Sequence, residues 1–407
     1  MTVGLFIFTK DLRIQDNIGL REACSQCDQL YTVFLNQTNP SNKNATMFLL
    51  DCVDELAYDI DAVGGELFQI NITNLASLSK RLKIDQVFFN YNLELTGACE
   101  RAKIPHTSVN DAYLYEPGTI LSGGGTIYKK FTPFYTQVLP KAVASPVYAK
   151  KFDMLVKNTG RRHTSSKGMG RTLGVKMLKK SLNSQKAYGK HRDQLIYETS
   201  RLSQHINFGT ISIREIYHAL KKQFGVHSEL IRQLIWRDFY AHVLYGYPES
   251  FTRKGDNVKW PGSRKHFELW CKGQTGVPVV DACMRELNET GYMHNRGRMI
   301  VASFLVKTLL VDWRLGEQYF AKLLIDYDLA SNNGNWQWIA GTGVDSMPYF
   351  RIMNPWTQSK KSDPNAEYIK KWMPELKDVD ARDLHDPVRM NPIVDFREQS
   401  KKFLALY

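Results

Sequence analysis

Only six of the 407 residues are cysteine, and they are scattered along the chain. That excludes the dense disulfide framework of small secreted folds. Cys24 and Cys27 form a C-x-x-C, but no second pair and no histidine cluster follows at metal-ligand spacing, so ordinary helix cysteines are favoured over a zinc or redox site. No apolar run reaches the ~20 residues that span a bilayer. The longest, around residues 300–310, is broken by Lys307. Residues 1–10 lack the basic opening, long apolar middle and small-residue cleavage site of a secretory signal. These absences argue against a membrane-spanning or exported chain and lead us to expect a reducing intracellular compartment, with cytoplasm and nucleus left open. Two local absences are more informative. No acidic residue occurs from Met154 to Arg192, and no tryptophan occurs before Trp236.

Apolar residues make up 43% and charged residues 23% of the chain, a balance that fits folded protein rather than extensive disorder. The length suffices for two or three domains. Residues 1–130 alternate short apolar runs with helical patterns. Val3–Phe8, Leu30–Leu35, Glu66–Ile70 and Gln86–Phe89 predict strands, while Thr46–Val63 and Leu75–Leu82 predict helices between them. Such alternation implies a Rossmann-like α/β domain with a parallel sheet covered on both faces. Gly123–Gly125 comes too late, and without the G-x-G-x-x-G register, to be a first-turn phosphate loop, and it reads as a turn.

Residues 131–185 read as a basic connecting segment. With the residues up to Arg192, it carries Lys157, Arg161, Arg162, Lys167, Arg171, Lys176, Lys179, Lys180, Lys186, Lys190 and Arg192, nearly the whole net charge of +13. Such a block is either a solvated linker or an electrostatic footprint for a polyanion. From residue 186 to 407 the pattern turns helical, with apolar residues at three-to-four spacing over Ile211–Gln223, Glu229–Leu244, Val279–Asn288, Asn295–Val311 and Glu317–Ile325. A large all-α domain follows. All eight tryptophans lie in this half; core packing accounts for some of them, and a planar ligand, a stacked base or an electron path would account for others.

Four segments, read together, carry a resemblance: Thr199-Ser200-Arg201-Leu202-Ser203, Leu234-Ile235-Trp236-Arg237-Asp238-Phe239-Tyr240, Gly291 to Met299, and Asp326 to Trp338. With Asp11-Leu12-Arg13 and Asp16-Asn17 near the start, the chain resembles the DNA photolyase and cryptochrome family, most closely its class I cyclobutane pyrimidine dimer photolyases. The resemblance implies an α/β antenna-type domain, a connecting segment and a C-terminal helical domain that binds FAD in a folded form, active as FADH⁻. It implies UV-damaged DNA as partner, light-driven splitting of cyclobutane dimers as activity, no membrane and a monomer.

The same resemblance assigns candidate residues. Tyr188, Thr199, Ser200, Arg201, Leu202 and Ser203 would contact FAD, the last five around its pyrophosphate, although residues of these types are as readily a plain helix cap. Arg298 and Asp326 would pair beside the isoalloxazine, with Asp328 in the same pocket and Asn332 facing flavin N5. Gln233, Arg237 and Asn295 complete the cofactor set. Trp260, Trp313 and Trp336 would form an electron relay; their separations, 313 − 260 = 53 and 336 − 313 = 23, fit the family pattern without a gap. Trp236 and Trp338 would hold the flipped dimer, with Gln233, Asn295 and Met299 lining its pocket. Arg192, Arg237, Arg296 and Arg351, together with Trp236, would contact the DNA.

Two departures stand out. Gln233 replaces the glutamate usual in dimer photolyases, a feature of (6-4) photolyases, whereas Asn295 and Met299 lack the histidines that (6-4) enzymes place there. Thr96 and Gly97 stand where a folate site has its Asn-Glu pair, which speaks against a methenyltetrahydrofolate antenna and leaves a deazaflavin, a second flavin or no antenna open. A cryptochrome-type light receptor is the non-enzymatic rival; receptors often carry a long C-terminal extension, and this sequence runs only to Tyr407.

Overall fold

A computed structural model describes residues 1–36, 41–148, 151–157, 166–251 and 258–406. Arg161 and Arg162 of the basic segment lie outside the described residues. Packing gathers the chain into two units, each built from separate stretches. The first comprises Met1–Thr119, Leu139–Lys186 and Ser200–Asp238; the second comprises Ile120–Val138, Ala187–Thr199 and Phe239–Tyr407.

The first unit holds a five-stranded parallel sheet of β1 (Val3–Phe8), β2 (Gln29–Leu35), β3 (Leu67–Ile70), β4 (Gln86–Asn90) and β5 (His106–Val109), ordered β3-β2-β1-β4-β5. The central strand has Leu5, Phe6, Ile7 and Phe8 all fully buried, as a parallel strand covered on both faces requires. Helices Ile18–Gln26, Lys43–Ala62 and Leu93–Ala102 each start on an asparagine cap. Asn17, Asn42 and Asn92 accept from Leu20, Ala45 and Leu95 backbone N–H groups at 3.0, 2.9 and 3.0 Å. Four strands and two helices agree with the sequence pattern within a few residues. The fifth strand and the helices Ile18–Gln26 and Leu93–Ala102 were not foreseen.

Beyond the carboxyl ends of β1, β4 and β5, the loops carry a closed polar network. Asn90 Nδ2 donates to Asp11 Oδ2 at 2.6 Å and to Asn17 Oδ1 at 2.8 Å. Asp111 accepts from Arg13 and, at 2.7 Å, from Arg214, and Arg214 Nε reaches Asp16 at 3.1 Å. All these side chains are buried. Burial opposes ionisation of Asp111, but the two guanidiniums outweigh it and hold its carboxyl below the usual range.

Within the segment expected as a linker, Arg171–Ser184 is a helix. Its N-cap, Gly170, has no side chain to cap with, and Glu55 supplies one from the Lys43–Ala62 helix. The Glu55 carboxylate accepts from Gly170 N and Thr172 N, both at 2.7 Å, and favours the positive end of the helix dipole. Cys24 and Cys27 are free thiols, pushed by burial up to about 12 and about 11, which leaves them protonated and unreactive at neutral pH.

The second unit is helical. Pro278–Thr290, Asn295–Ser303, Trp313–Leu323, Leu329–Ala340, Pro355–Ser362 and Glu367–Trp372 pack around one apolar core. Trp270 lies at its centre, donating Nε1–H to Val301 O at 3.0 Å. Gly123–Gly125 sits in a loop closed by a Leu121–Ile127 bridge, as expected of a turn. The single helix predicted over Asn295–Val311 is instead an α-helix to Ser303 followed by a π-turn, Phe304–Thr308, ending near Leu310 at φ +58°. Lys307 is fully buried in that turn, and its ammonium donates to Tyr349 O at 3.3 Å and Arg351 O at 3.0 Å. Burial, aided by Arg351, lowers Lys307 to about 8. Among the described residues, no helix is long and apolar enough to cross a membrane.

Candidate functional site

The candidate residues divide between the units. Ser200, Arg201, Leu202, Ser203, Gln233, Trp236 and Arg237 belong to the first. Tyr188, Arg192, Thr199, Trp260, Asn295, Arg296, Arg298, Met299, Trp313, Asp326, Asp328, Asn332, Trp336, Trp338 and Arg351 belong to the second.

In the first unit, Gln233, Trp236 and Arg237 occupy one helix, Glu229–Gly246, at three- and four-residue spacing, so they share a face. All three are half-buried. Arg237 donates to Ala112 O at 2.5 Å and lies over the Tyr113 ring at 4.5 Å, so part of its bonding capacity is spent within its own unit. Next in sequence, Asp238 is completely buried and accepts from Tyr115 N at 2.9 Å; burial pushes its carboxyl from 3.8 to about 7. The plain-cap alternative for Thr199–Ser203 fails. Helix Ser203–Asn207 has Leu202 as its N-cap, without a side-chain capping bond. Arg201 holds the left-handed φ of +54°, a strained setting for a side-chain-bearing residue of the kind found at functional sites.

In the second unit, two helix starts carry the cluster. His294 caps Asn295–Ser303, accepting from Arg296 N at 3.1 Å. One turn in, Arg298 Nη2 donates to both Asp326 oxygens at 3.0 and 2.8 Å, and its Nε donates to Met293 O at 2.9 Å. Arg298 remains 27% exposed against 7% for Asp326, so the pair opens on one side and leaves Nη1 to donate outward. Burial alone would lower the guanidinium's proton affinity; the Asp326 carboxylate reverses that and raises it. The Arg298 guanidinium lies 5.9 Å from the Tyr292 ring centroid, and the Tyr292 hydroxyl bonds Thr199 Oγ1 at 2.9 Å. Thr199 is thereby joined to the Arg298 cluster.

Asp328 caps Leu329–Ala340 by accepting from Ser331 N at 2.8 Å. One turn further on, Asn332 Nδ2 donates to Glu317 Oε1 at 3.0 Å and approaches Glu317 O at 3.3 Å. Both partners are acceptors, so the amide nitrogen must face them and Oδ1 is turned away as an acceptor. The sequence reading missed Glu317 because only the fold brings it to Asn332, fifteen residues away. A flavin edge presents both N–H and C=O groups, and this set matches it: one cation with spare donors, two carboxylates and an amide oxygen of fixed direction. The residues present fit the cofactor.

Trp336 and Trp313 are each 3% exposed and lie on packed neighbouring helices, where Gly316 leaves the room that the Trp336 ring occupies. Trp260 is half-buried, and its loop is tied to the end of the π-turn by Gly262 N–H donating to Leu310 O at 2.8 Å. Exposure thus rises from Trp336 and Trp313 outward to Trp260. Asn295 and Met299 touch one turn apart, at 3.8 Å between Nδ2 and Sδ. Trp338 is half-buried, and its carbonyl accepts from Met347 N at 3.2 Å. Arg296 pairs with Asp193 at 2.5 Å, while Arg351 is exposed and its backbone is fixed by Lys307. Tyr188 and Arg192 sit in and just after the short helix Tyr188–His191, both half-buried. Among the described residues, no group of three or more His, Cys, Asp or Glu is placed to hold a metal.

Residues 230–407 match the family described as the FAD binding domain of DNA photolyase, and residues 5–151 match the family described as DNA photolyase. The chain is 33% identical to the deoxyribodipyrimidine photo-lyase of Escherichia coli, with 100% of this chain and 98% of that protein aligned. It is 34% identical to the Alkalihalophilus pseudofirmus protein of the same name, over 98% and 96%. Among solved structures, a class III photolyase from Agrobacterium tumefaciens superposes with a TM-score of 0.89 at 28% identity, covering 100% of this chain and 97% of that one. A Sulfolobus tokodaii photolyase solved with two FAD molecules gives 0.83 at 34%, covering 100% and 99%. A Synechocystis cryptochrome gives 0.87 at 26%, also covering 100% and 99%.

Proposed function

This chain belongs to the DNA photolyase family, and on that premise we propose that it is a deoxyribodipyrimidine photo-lyase, a carbon–carbon lyase that repairs cyclobutane pyrimidine dimers in UV-damaged DNA under light. FAD is the cofactor. When bound in its reduced form it supplies, on illumination, the electron that opens the cyclobutane ring and afterwards takes it back. In this reading residues 1–130 are the antenna-type part, 131–185 the connecting segment and 186–407 the cofactor-binding and catalytic part; the family match at 230–407 lies within the last, and the match at 5–151 runs from the first into the second. The protein acts as a monomer.

The observation that carries the proposal is the fixed direction of Asn332. With its nitrogen held by Glu317, it offers only an acceptor, which favours a protonated flavin N5 and hence the reduced cofactor. Arg298 places positive charge beside the ring system, with Asp326 holding the guanidinium in one orientation. Thr199 and Ser200–Ser203 take the pyrophosphate, Asp328 and Tyr188 contact the cofactor, and Gln233, Arg237 and Asn295 complete its surroundings.

Trp236 and Trp338 grip the flipped dimer, each stacked face worth ~1–3 kcal/mol, and damaged bases cost less to extrude than sound ones. Met299, Asn295 and Gln233 line the lesion pocket. Arg192, Arg237, Arg296 and Arg351 hold phosphates, which fixes position without reading sequence. Trp260, Trp313 and Trp336 pass electrons inward by hops between indoles, a preparatory task separate from repair.

Gln233 gives (6-4) repair its only specific support, and Asn295 with Met299 opposes it, since neither can act as the acid. Purified protein illuminated with oligonucleotides bearing one lesion or the other decides between them. Reversal of the cyclobutane lesion alone is expected; reversal of the (6-4) lesion alone would overturn the assignment, and bound flavin without reversal of either would favour a light receptor.

A further inference from the structure

The structure divides the acid-free segment into charges that are neutralised and charges that are not. Lys157 pairs with Asp61, Lys167 with Asp51 at 2.7 Å, and Arg171 with Glu215 at 2.8 Å, so these three fasten the segment to acidic groups of the first unit. Further along, Lys176, Lys179 and Lys186 are exposed and have no ion-pair partner among the described residues. On the Arg171–Ser184 helix the buried positions are Gly174, Leu178 and Ser181, with Gln185 buried just past its end. Lys176 and Lys179 lie on the opposite face of the helix, and Lys186 follows just past its end. The apolar face is therefore already docked, and the outward face is a row of lysines without an exposed apolar residue among them.

We infer that this lysine row is a second nucleic-acid surface, which binds the phosphate backbone of undamaged duplex DNA without regard to sequence. Charge complementarity identifies the partner. From Lys176 to Ser184 the helix rises about 12 Å, a length over which duplex DNA carries roughly seven phosphate charges. A membrane surface is the poorer match, because an interfacial helix needs a free apolar face to insert and here that face is used in the core. The inference goes beyond the dimer-splitting reading: such a surface would keep the protein on sound DNA between lesions.

The test titrates the holoprotein, in darkness, with a short undamaged duplex across about 50–200 mM salt. The combined variant Lys176→Gln/Lys179→Gln/Lys186→Gln removes the charge and keeps an unbranched polar side chain of similar helix propensity. It is expected to lessen the slope of log affinity against log salt by about 2.7, at about 0.9 per phosphate contact. Affinity at the low-salt end should fall on the order of tenfold or more, and Lys→Glu at the same positions should lower it further. Circular dichroism and light-driven repair at saturating lesion should match wild type. An unchanged slope in both variants overturns the inference and leaves the row a solvated face. So does unchanged duplex binding alongside lost binding to phosphatidylserine vesicles. Since the probe carries no lesion and no light is used, failure here is distinguishable from failure of the dimer-splitting reading.

Discussion

Two arginine–aspartate arrangements, one in each unit, use the same chemistry to opposite ends. Around Arg13, Asp16, Asp111 and Arg214, every side chain is 4% exposed or less, and two aspartates and two backbone carbonyls, of Asp16 and Gly209, share two guanidiniums. The Arg298–Asp326 pair is held as firmly, yet Arg298 is 27% exposed and keeps a donor nitrogen outward. A closed network of buried charge adds little net stability over an apolar core, but breaking it is costly, because the surviving charge has no water. An open pair gives up less on disruption and has capacity to bind. Charge shut away from water therefore marks architecture, and charge left partly open to it marks a site.

The sharpest contrast comes from removing one aspartate from each arrangement. Asp111→Ala leaves two buried guanidiniums with one carboxylate, Asp16, in place of two and should cost about 3–5 kcal/mol, read as a lower urea midpoint with an unchanged m-value. Asp326→Ala should unfold at nearly the wild-type midpoint while losing bound flavin, seen as lost visible absorbance. Equal destabilisation by both would break the comparison.

Asp238 sharpens it through pH. Its carboxyl is raised from 3.8 to about 7, so between those values the folded state holds a proton that the unfolded state has released. Stability should therefore fall as pH rises from about 4 to about 7, by at most about 4 kcal/mol from this group. Asp238→Asn should flatten that slope in denaturation curves collected across the range; an unchanged slope would show that another group sets it.

On the open side, Trp338→Ala should weaken binding of a dimer-bearing oligonucleotide by ~1–3 kcal/mol while flavin stays bound; loss of flavin would contradict its assignment to the lesion. The smallest effect is expected from Glu317→Gln. It frees the Asn332 amide to turn, which should lower the flavin midpoint potential by the equivalent of about 1 kcal/mol. An unmoved potential would show that Glu317 does not orient Asn332.

Much of this was legible from residue order because the relevant physics is local. Short continuous apolar runs between helical patterns, such as Leu5–Phe8, read as covered strands, and helices such as Leu75–Leu82 agree with their pattern to the residue. β5 was missed because His106-Thr107-Ser108-Val109 is an edge strand that is at most half-buried and carries polar side chains. The π-turn escaped because its apolar spacing is that of an ordinary helix. Lys307 was visible as the interruption of an apolar run, but its hold on the Tyr349 and Arg351 carbonyls spans more than forty residues of sequence. Family motifs brought Arg298, Asp326 and Asn332 forward as candidates. Glu317 lies in none of those motifs and acts only through a contact made by packing, as does Glu55 in capping a helix it does not belong to.

The most direct measurement is the rate at which protein loaded with reduced FAD restores a cyclobutane-dimer oligonucleotide under blue light and in darkness, beside the same protein stripped of flavin. Restoration should occur only with both light and flavin present. Equal restoration in the dark, or by the stripped protein, would contradict the account.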